Sequence, residues 1–399
     1  MKYNPAQLIQ DNLVFGEFGE VNPSISDGST FTFLTAEKMT EVFEHELEGC
    51  FLYSRHVNPM NDYLARAIAL LEGTEAAQMT ASGMSAISCS ILQVCNTGDE
   101  IVSSRTIYGG TYALMKNFLP KLGINTNFVN IVDLKDVESK INSKTKIIYT
   151  ETLSNPLLEV ADLVSLRKLA DKYNLQLVVD NTFTPLLITP HKHGAHIVIN
   201  SNTKFINGAS DCISGVICST HDFIASLRDV HSGACMLLGP THDSVRASSI
   251  FKNLRTLYIR IQQHSSNAMF IACNLKELGL KVFYPGLESH PQHNLMKSML
   301  NEGFGFGGML TFDAGSAEIA NKLMIKMQEQ LVGYFAVSLG FYKTLFSSPG
   351  RSTSSEMPEE EQIKIGLTEG LVRMSIGLDS DIELSFERMK NCMKEVGVI

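Results

Sequence analysis

Two runs in this 399-residue chain end apolar strands on residues able to do chemistry. Leu177-Val178-Val179 leads into Asp180, and His196-Ile197-Val198-Ile199-Asn200 leads into Ser201-Asn202-Thr203-Lys204. Ligands of open α/β sheets collect at the carboxyl ends of the strands. The stretch between Asp180 and Lys204 leaves room for a loop and one strand, so the two side chains could face one crevice. A lysine that loses its proton near neutral pH, as partial desolvation favours, can attack a carbonyl. A carboxylate against a pyridine nitrogen keeps that nitrogen protonated, and the ring then draws electrons from a substrate carbanion. Pyridoxal 5'-phosphate (PLP) needs both groups, together with donors for its phosphate. Ser201 and Thr203 can donate beside the lysine, and Ser82-Gly83-Met84 opens a helix whose N-terminus suits an anion. A plainer reading stands beside this one, in which Asp180 caps the next segment and Lys204 faces solvent. These residues alone leave both open.

The elements that must position them alternate. From Asn58, Leu64, Ala67, Ile68 and Leu71 recur at helical spacing, and Gly73 follows as a stop. Strands are expected at 75–80, 100–103, 124–129, 146–150, 175–180, 196–200 and 213–218. Helices are expected at 83–95, 111–119, 134–141 and from Asp162 to Tyr173. Strand–helix alternation at this spacing predicts a mostly parallel α/β sheet. Around Thr241 the rhythm breaks into one long helical stretch to about Leu278. Shorter mixed elements follow, with strands near Val282, Met309 and Val372 and helices near Glu318 and Glu383, which predicts a smaller α+β domain. The division is therefore an N-terminal arm (1–57), a large domain (58–255) and a C-terminal domain (256–399). The arm is irregular and is expected to pack on something, such as another subunit. Glu359-Glu360-Glu361 reads as a solvated helix start.

Composition narrows the class. Apolar residues make up 44% and charged residues 19%, as in ordinary globular enzymes, and a net charge of -9 without a basic patch argues against nucleic acid. No apolar run approaches the roughly 20 residues that span a bilayer. Met1-Lys2-Tyr3-Asn4-Pro5 has no apolar signal core, so a cytoplasmic location is expected. None of the eight cysteines sits in a CxxC pair, and most of them lie in apolar stretches and read as buried thiols in a reducing compartment. His191, His193 and His196 cluster like metal ligands, but no acidic or cysteine partner lies near them in sequence, and no metal site is expected.

Longer motifs decide between the two readings. Val198-Ile199-Asn200-Ser201-Asn202-Thr203-Lys204-Phe205-Ile206-Asn207-Gly208 resembles the PLP-lysine signature of the cysteine/methionine-metabolism (transsulfuration) family of PLP-dependent enzymes. Tyr53-Ser54-Arg55 with Asn58-Pro59, Leu71-Glu72-Gly73, Ala81-Ser82-Gly83-Met84 and Tyr108-Gly109-Gly110-Thr111-Tyr112 resemble that family's segments in order. So do Glu151, Ser154-Asn155-Pro156, Val179-Asp180-Asn181-Thr182-Phe183, Val337-Ser338-Leu339-Gly340 and Glu369-Gly370-Leu371-Val372-Arg373. The resemblance runs from about Tyr53 to Asp381. It implies the PLP-dependent fold type I, aspartate-aminotransferase-like, with a mostly parallel seven-stranded central sheet and a smaller α+β C-terminal domain. It also implies a homotetramer of two intimate dimers with shared active sites. In this likeness Lys204 is the Schiff-base lysine and proton shuttle, Asp180 pairs with the pyridinium, and Tyr108 stacks on the ring and acts as acid and base near the leaving group. Ser82, Gly83, Met84, Ser201 and Thr203 hold the phosphate, with Tyr53 and Arg55 reaching into the neighbouring subunit's phosphate site. Asn155, Ser338 and Arg373 hold the substrate carboxylate.

The chain also departs from the family. Asn202 precedes Thr203 where a small residue is usual, and Ala209 follows Gly208 where histidine is usual. Gly110 stands where methionine γ-lyases carry cysteine, and by this reading adds room beside Tyr108 for a longer substrate tail. Val337 stands where many cystathionine γ-lyases and synthases carry a glutamate. The expected activity is a carbon–sulfur lyase of the cystathionine β/γ-lyase or methionine γ-lyase type, giving a thiol, ammonia and a 2-oxo acid. The alternative is γ-replacement on an activated homoserine, as in cystathionine γ-synthase or O-acetylhomoserine sulfhydrylase. A PLP-binding protein without turnover is disfavoured by the intact set Tyr108, Asp180, Lys204 and Arg373.

Overall fold

The computed structural model describes residues 3–44, 49–351, 360, 362 and 366–399. Glu359 and Glu361 of the acidic run lie outside the described residues. Seven strands form the larger sheet: β1 (Ala76–Thr80), β2 (Glu100–Ser104), β3 (Asn125–Val129), β4 (Thr145–Glu151), β5 (Gln176–Asp180), β6 (Ile197–Asn200) and β7 (Gly215–Ser219). Their order is β1-β7-β6-β5-β4-β2-β3. Only β7 runs antiparallel to its neighbours. The central strands read as unbroken apolar runs because helices cover both faces. Side chains alternate across the sheet, so Leu177 and Val179 enter one core, with Ile148 and Val198, while Val178 enters the other, with Ile147, Ile197 and Ile199.

The helices begin where their caps place them. Asn58 accepts from Met60 N and Pro59 occupies the first position of the Pro59–Glu72 helix. Ser82 and Ser85 form a reciprocal capping box at the start of the Gly83–Val94 helix, which opens at the carboxyl end of β1. The helix expected at 111–119 starts earlier, at Gly109, and is irregular. A π-type turn spans Leu114–Phe118 and a 3-10 turn follows at Leu119–Leu122. Pro120 explains this, since it donates no N–H and its ring crowds the carbonyl four residues back.

The long stretch from Thr241 is two helices, Ser244–Leu254 and Leu257–Glu277, rather than one. At the break the Asn253 carbonyl accepts from Arg260 Nη2 at 3.0 Å, and the same guanidinium bonds the carbonyls of Phe205 and Ile206, just after Lys204. The Asn253 carbonyl also accepts from Thr256 N at 3.2 Å and Thr256 Oγ1 at 3.1 Å, so local bonds and the Arg260 side chain together satisfy this helix end. The second helix gives Leu257 and Ile261 to the first core and Ala268, Ile271, Ala272 and Leu275 to another. That other core lies against a second sheet of β8 (Val282–Phe283), β9 (Met309–Asp313), β10 (Tyr334–Phe335), β11 (Leu345–Ser347) and β12 (Leu371–Ser375), in the order β10-β11-β12-β9-β8. Met296, Met299, Phe304 and Leu339 return to the first core, so the two cores interlock.

At the N-terminal end, the short helix Pro5–Asp11 lies against Pro59–Glu72, and Tyr3 donates to the Leu70 carbonyl. Beyond it Leu13, Phe18 and Leu34 are exposed at 74%, 85% and 98% and belong to no buried cluster. Among the described residues no helix is long and apolar enough to cross a membrane.

Candidate active site

Adjacent strands bring two carboxylates side by side. Glu151 ends β4, Asp180 ends β5, and the two are register partners in the parallel ladder. Both line a cavity of about 370 Å³ that also takes in Ser82, Gly83, Met84, Tyr108, Asn155, Ser201, Thr203, Lys204, Ser338 and Arg373. Of the sequence-derived candidates, all but Tyr53 and Arg55 therefore meet in one place. Those two lie elsewhere. Arg55 Nη1 donates to the Met236 carbonyl at 2.6 Å, and Tyr53 is half-exposed.

Asp180 is buried, which pushes its carboxyl up, but Thr182 opposes this with both its N–H, at 3.0 Å, and its hydroxyl. That hydroxyl in turn accepts from Ser201 N at 2.8 Å, so one short relay links the end of β5 to the segment carrying the lysine. Lys204 follows β6 in a tight turn, its N–H on the Ser201 carbonyl at 3.1 Å. Burial first, and the charge of Arg373 second, lower its amine from the ordinary 10.5 to about 8. An amine poised there is partly neutral under physiological conditions, as a nucleophile or proton acceptor requires. Its Nζ donates to Ser338 Oγ at 3.1 Å. The loop carrying Ser338 comes this close because Gly340, at φ 77°, lies against the backbone of Lys204 and Phe205. A Cβ there would stand 2.5 Å from Phe205 N.

Arg373 comes from β12 and is 3% exposed. Nη1 donates to Asn155 Oδ1 at 3.1 Å, and Nη2 lies 3.5 Å from the Ser338 carbonyl. Burial lowers it to about 10, against the charges of Tyr108 and Glu151, so it stays a cation with donors to spare for an anionic ligand. Tyr108, 42% exposed, caps the helix beginning at Gly109, and its N–H is held by Glu151. The space beside it is not open. A Cβ on Gly110 would lie 2.6 Å from Tyr108 Cε1, so the tyrosine ring itself fills the room that the glycine leaves.

The cavity fits PLP on its own features. An amine and a carboxylate stand in one enclosure at adjoining strand ends. At the helix start, the amides of Gly83 and Met84 lack intrahelical acceptors. A Cβ on Gly83 would lie 2.7 Å from Ser201 Cβ, so this cradle exists only because residue 83 has no side chain. The Thr203 hydroxyl is engaged with the backbone of Ser214, accepting from its N–H at 3.0 Å, and this pins the start of β7. It also explains why β7 opens at Gly215 and not at 213, leaving Ile213 to line the cavity.

Sequence reasoning gave no role to Glu151, Thr182, Phe183 or Ile213, all of which line the cavity. Glu151 carries the same signal as Asp180, an acid ending an apolar strand. The three clustered histidines pair with backbone: His191 with Ala195 O, His193 with Met299 O, and His196 Nδ1 accepting from Leu177 N. No group of metal-ligating side chains occurs among the described residues.

Comparison with known proteins agrees with this geometry. The family profile described as Cys/Met metabolism PLP-dependent enzyme matches residues 6–388. A methionine gamma-lyase of Arabidopsis thaliana is 43% identical over 92% of this chain and 85% of its own length. A cystathionine gamma-lyase of Bacillus subtilis is 36% identical over 83% of this chain and 86% of its own. A solved structure from Campylobacter jejuni, a candidate O-acetylhomoserine (thiol)-lyase containing N'-pyridoxyl-lysine-5'-monophosphate, superposes with a TM-score of 0.90 at 29% identity, covering 98% of this chain and all of that one. The chain belongs to the Cys/Met metabolism PLP-dependent enzymes, with the mixed, mostly parallel sheet of that family's fold.

Proposed function

We propose that this protein is a PLP-dependent carbon–sulfur lyase that cleaves a sulfur amino acid of the cystathionine or methionine type to a thiol, ammonia and a 2-oxo acid. The observation that carries this reading is the meeting of Lys204, Asp180 and Arg373 in one cavity whose outer wall, Ile213 and Val337, is apolar. The two lyase relatives support the same activity. PLP, when bound, supplies the electron sink that makes the substrate Cα–H acidic.

The chain's own residues do the rest. Asp180 would hold the ring nitrogen. Ser82, Gly83, Met84, Ser201 and Thr203 would hold the phosphate. Arg373, braced by Asn155 and the Ser338 loop, takes the substrate carboxylate. Lys204 would carry the cofactor, and its amine would accept the Cα proton. If the sulfur is on Cγ, a second proton must leave Cβ, and the same amine can take it only after giving up the first. Tyr108 would lie against the cofactor ring and serve the departing sulfur as acid. Val337 gives a charged distal amine no partner, so recognition of the tail rests on apolar contact. A partner carboxylate would add about 1.5–3 kcal/mol.

The site is further read as shared between subunits of a homotetramer, a dimer of dimers. The exposed apolar arm, and the placement of Tyr53 and Arg55 outside their own chain's cavity, support this. Residues 1–57 would form the inter-subunit arm, 58–255 the large PLP-binding domain and 256–399 the C-terminal domain, in a cytoplasmic enzyme. The second reading, γ-replacement on an activated homoserine, is favoured by the likeness to the Campylobacter structure.

The purified holoenzyme decides. It is given cystathionine, methionine, and O-acetylhomoserine with sulfide, and the products are identified. Oxo acid from cystathionine or methionine is expected; dominant replacement product with no oxo acid from either selects the second reading. Borohydride should fix the cofactor to the peptide containing Lys204.

A further inference from the structure

Glu151 is the cavity-lining carboxylate to which the mechanism above gives no task. Its two oxygens serve two different turns. One accepts from Tyr108 N at 2.7 Å, a residue 43 positions away in sequence, and the other accepts from Asn155 N at 3.0 Å. Asn155 is in turn the side-chain partner of Arg373, at 3.1 Å. A single carboxylate therefore joins the turn carrying Tyr108 to the turn carrying Asn155, the partner of Arg373. The placement is costly. Burial and the neighbouring Asp180 push the Glu151 carboxyl well up, and the two N–H groups with Arg373 are what oppose them. A buried acid this unfavourable needs compensation from the contacts it makes.

We propose that Glu151 is a positioning residue that holds Tyr108 and the Asn155–Arg373 pair at a fixed separation, so that the group acting at the sulfur end of the substrate stays in register with the group holding its carboxylate. This rests on the lyase reading. The side chain must both accept twice and span the two turns. Glutamine fills the same volume but has one acceptor oxygen, so one backbone N–H loses its partner. Aspartate keeps the charge but is a methylene shorter and cannot reach both turns.

The test uses holoenzyme carrying Glu151→Gln, Glu151→Asp, Tyr108→Phe and the Glu151→Gln/Tyr108→Phe pair. L-Alanine, which has no leaving group, is titrated by the change in cofactor absorbance, and kcat is measured with the best sulfur amino acid. Glu151→Gln is expected to weaken L-alanine binding about 5-fold or more and to lower kcat about 10–100-fold, the scale of a small misplacement of a reacting group. Glu151→Asp should behave like Glu151→Gln and not like wild type. In the Tyr108→Phe background the further loss of kcat should shrink to about 3-fold or less, since coupled groups are not additive. Unchanged L-alanine affinity, full recovery in Glu151→Asp, or equal kcat losses in both backgrounds overturns the proposal. Should Glu151→Gln not fold, Glu151→Asp supplies the same readings. If wild type yields no oxo acid from any sulfur amino acid, the lyase reading has failed by itself, and the L-alanine titration still decides on Glu151.

Discussion

Lys204 Nζ donates to Ser338 Oγ at 3.1 Å, across 134 residues of sequence, and this bond ties the turn after β6 to the loop between β10 and β11. The acceptor favours the ammonium form, whereas burial and Arg373 favour the neutral amine and bring it to about 8. Removing the acceptor should let the neutral form win at lower pH. In cofactor-free protein, the rate at which Lys204 captures PLP should rise with pH through about 8 in wild type. In Ser338→Ala the midpoint should fall by about 1–2 units, the scale of one hydrogen bond to a charged group. An unchanged or higher midpoint would show that Ser338 does not set the lysine's protonation.

Gly110 changes meaning once the structure is in view. Its missing side chain reads in sequence as room for the substrate, but the ring of Tyr108 occupies that room, with Cε1 2.6 Å from where a Cβ would stand. Gly110→Ala should therefore displace the tyrosine. We expect kcat to fall about 10-fold on methionine and cystathionine alike, with KM much less affected, because the loss lies in placing a reacting group. If kcat on methionine holds and only KM for the longer substrate rises, the glycine serves the substrate tail as the sequence reading has it.

What the sequence displays and what it hides follow from the range of the interactions involved. Asp180 and Lys204 stand out as candidates because Asp180 ends an apolar run and Lys204 follows one by a short polar turn, a local signal that the buried strands enforce but that leaves their roles to the longer motifs. Arg373 and Ser338 carry no such periodicity. Their side chains enter the cavity through long-range packing, notably Gly340 against Phe205, and only their likeness to a family's segments points to them. Glu151 has the strand-end signal, yet its partner Tyr108 lies 43 residues earlier, beyond any local pattern. The break before Leu257 is equally hidden. No glycine or proline marks it, and the Arg260 guanidinium that bonds the Asn253 carbonyl is fixed by long-range bonds to the Phe205 and Ile206 carbonyls. The irregular turns after Ala113 are the opposite case, since Pro120 stands in the sequence as their cause.

Behind the cavity lies a buried acid whose pH response can be read without turnover. Glu72 ends the Pro59–Glu72 helix at 0% exposure, and its Oε1 accepts from Asn181 Nδ2 at 3.1 Å and Asn200 Nδ2 at 2.9 Å. These asparagines adjoin Asp180 and Ser201, so Glu72 links the ends of β5 and β6 beneath the site. Burial raises its carboxyl from 4.5 to about 7; the two amides pull it down and Asp180 pushes it up. A folded value above the unfolded one means that below about 4.5 both states are protonated and the group costs nothing. As pH rises toward 7 the unfolded chain gives up its proton first, and stability is lost until the folded state ionises as well. Glu72→Gln removes the titration. It gives up an acceptor, which should lower stability at every pH, but it is spared the pH-dependent loss. The stability of Glu72→Gln relative to wild type should thus improve between pH 5 and pH 8 by roughly 1–3 kcal/mol. Denaturant unfolding of the holoenzyme at the two pH values measures this, provided both proteins unfold in one reversible step. A difference that stays constant, or moves the other way, would mean that the asparagine amides hold Glu72 ionised across the whole range.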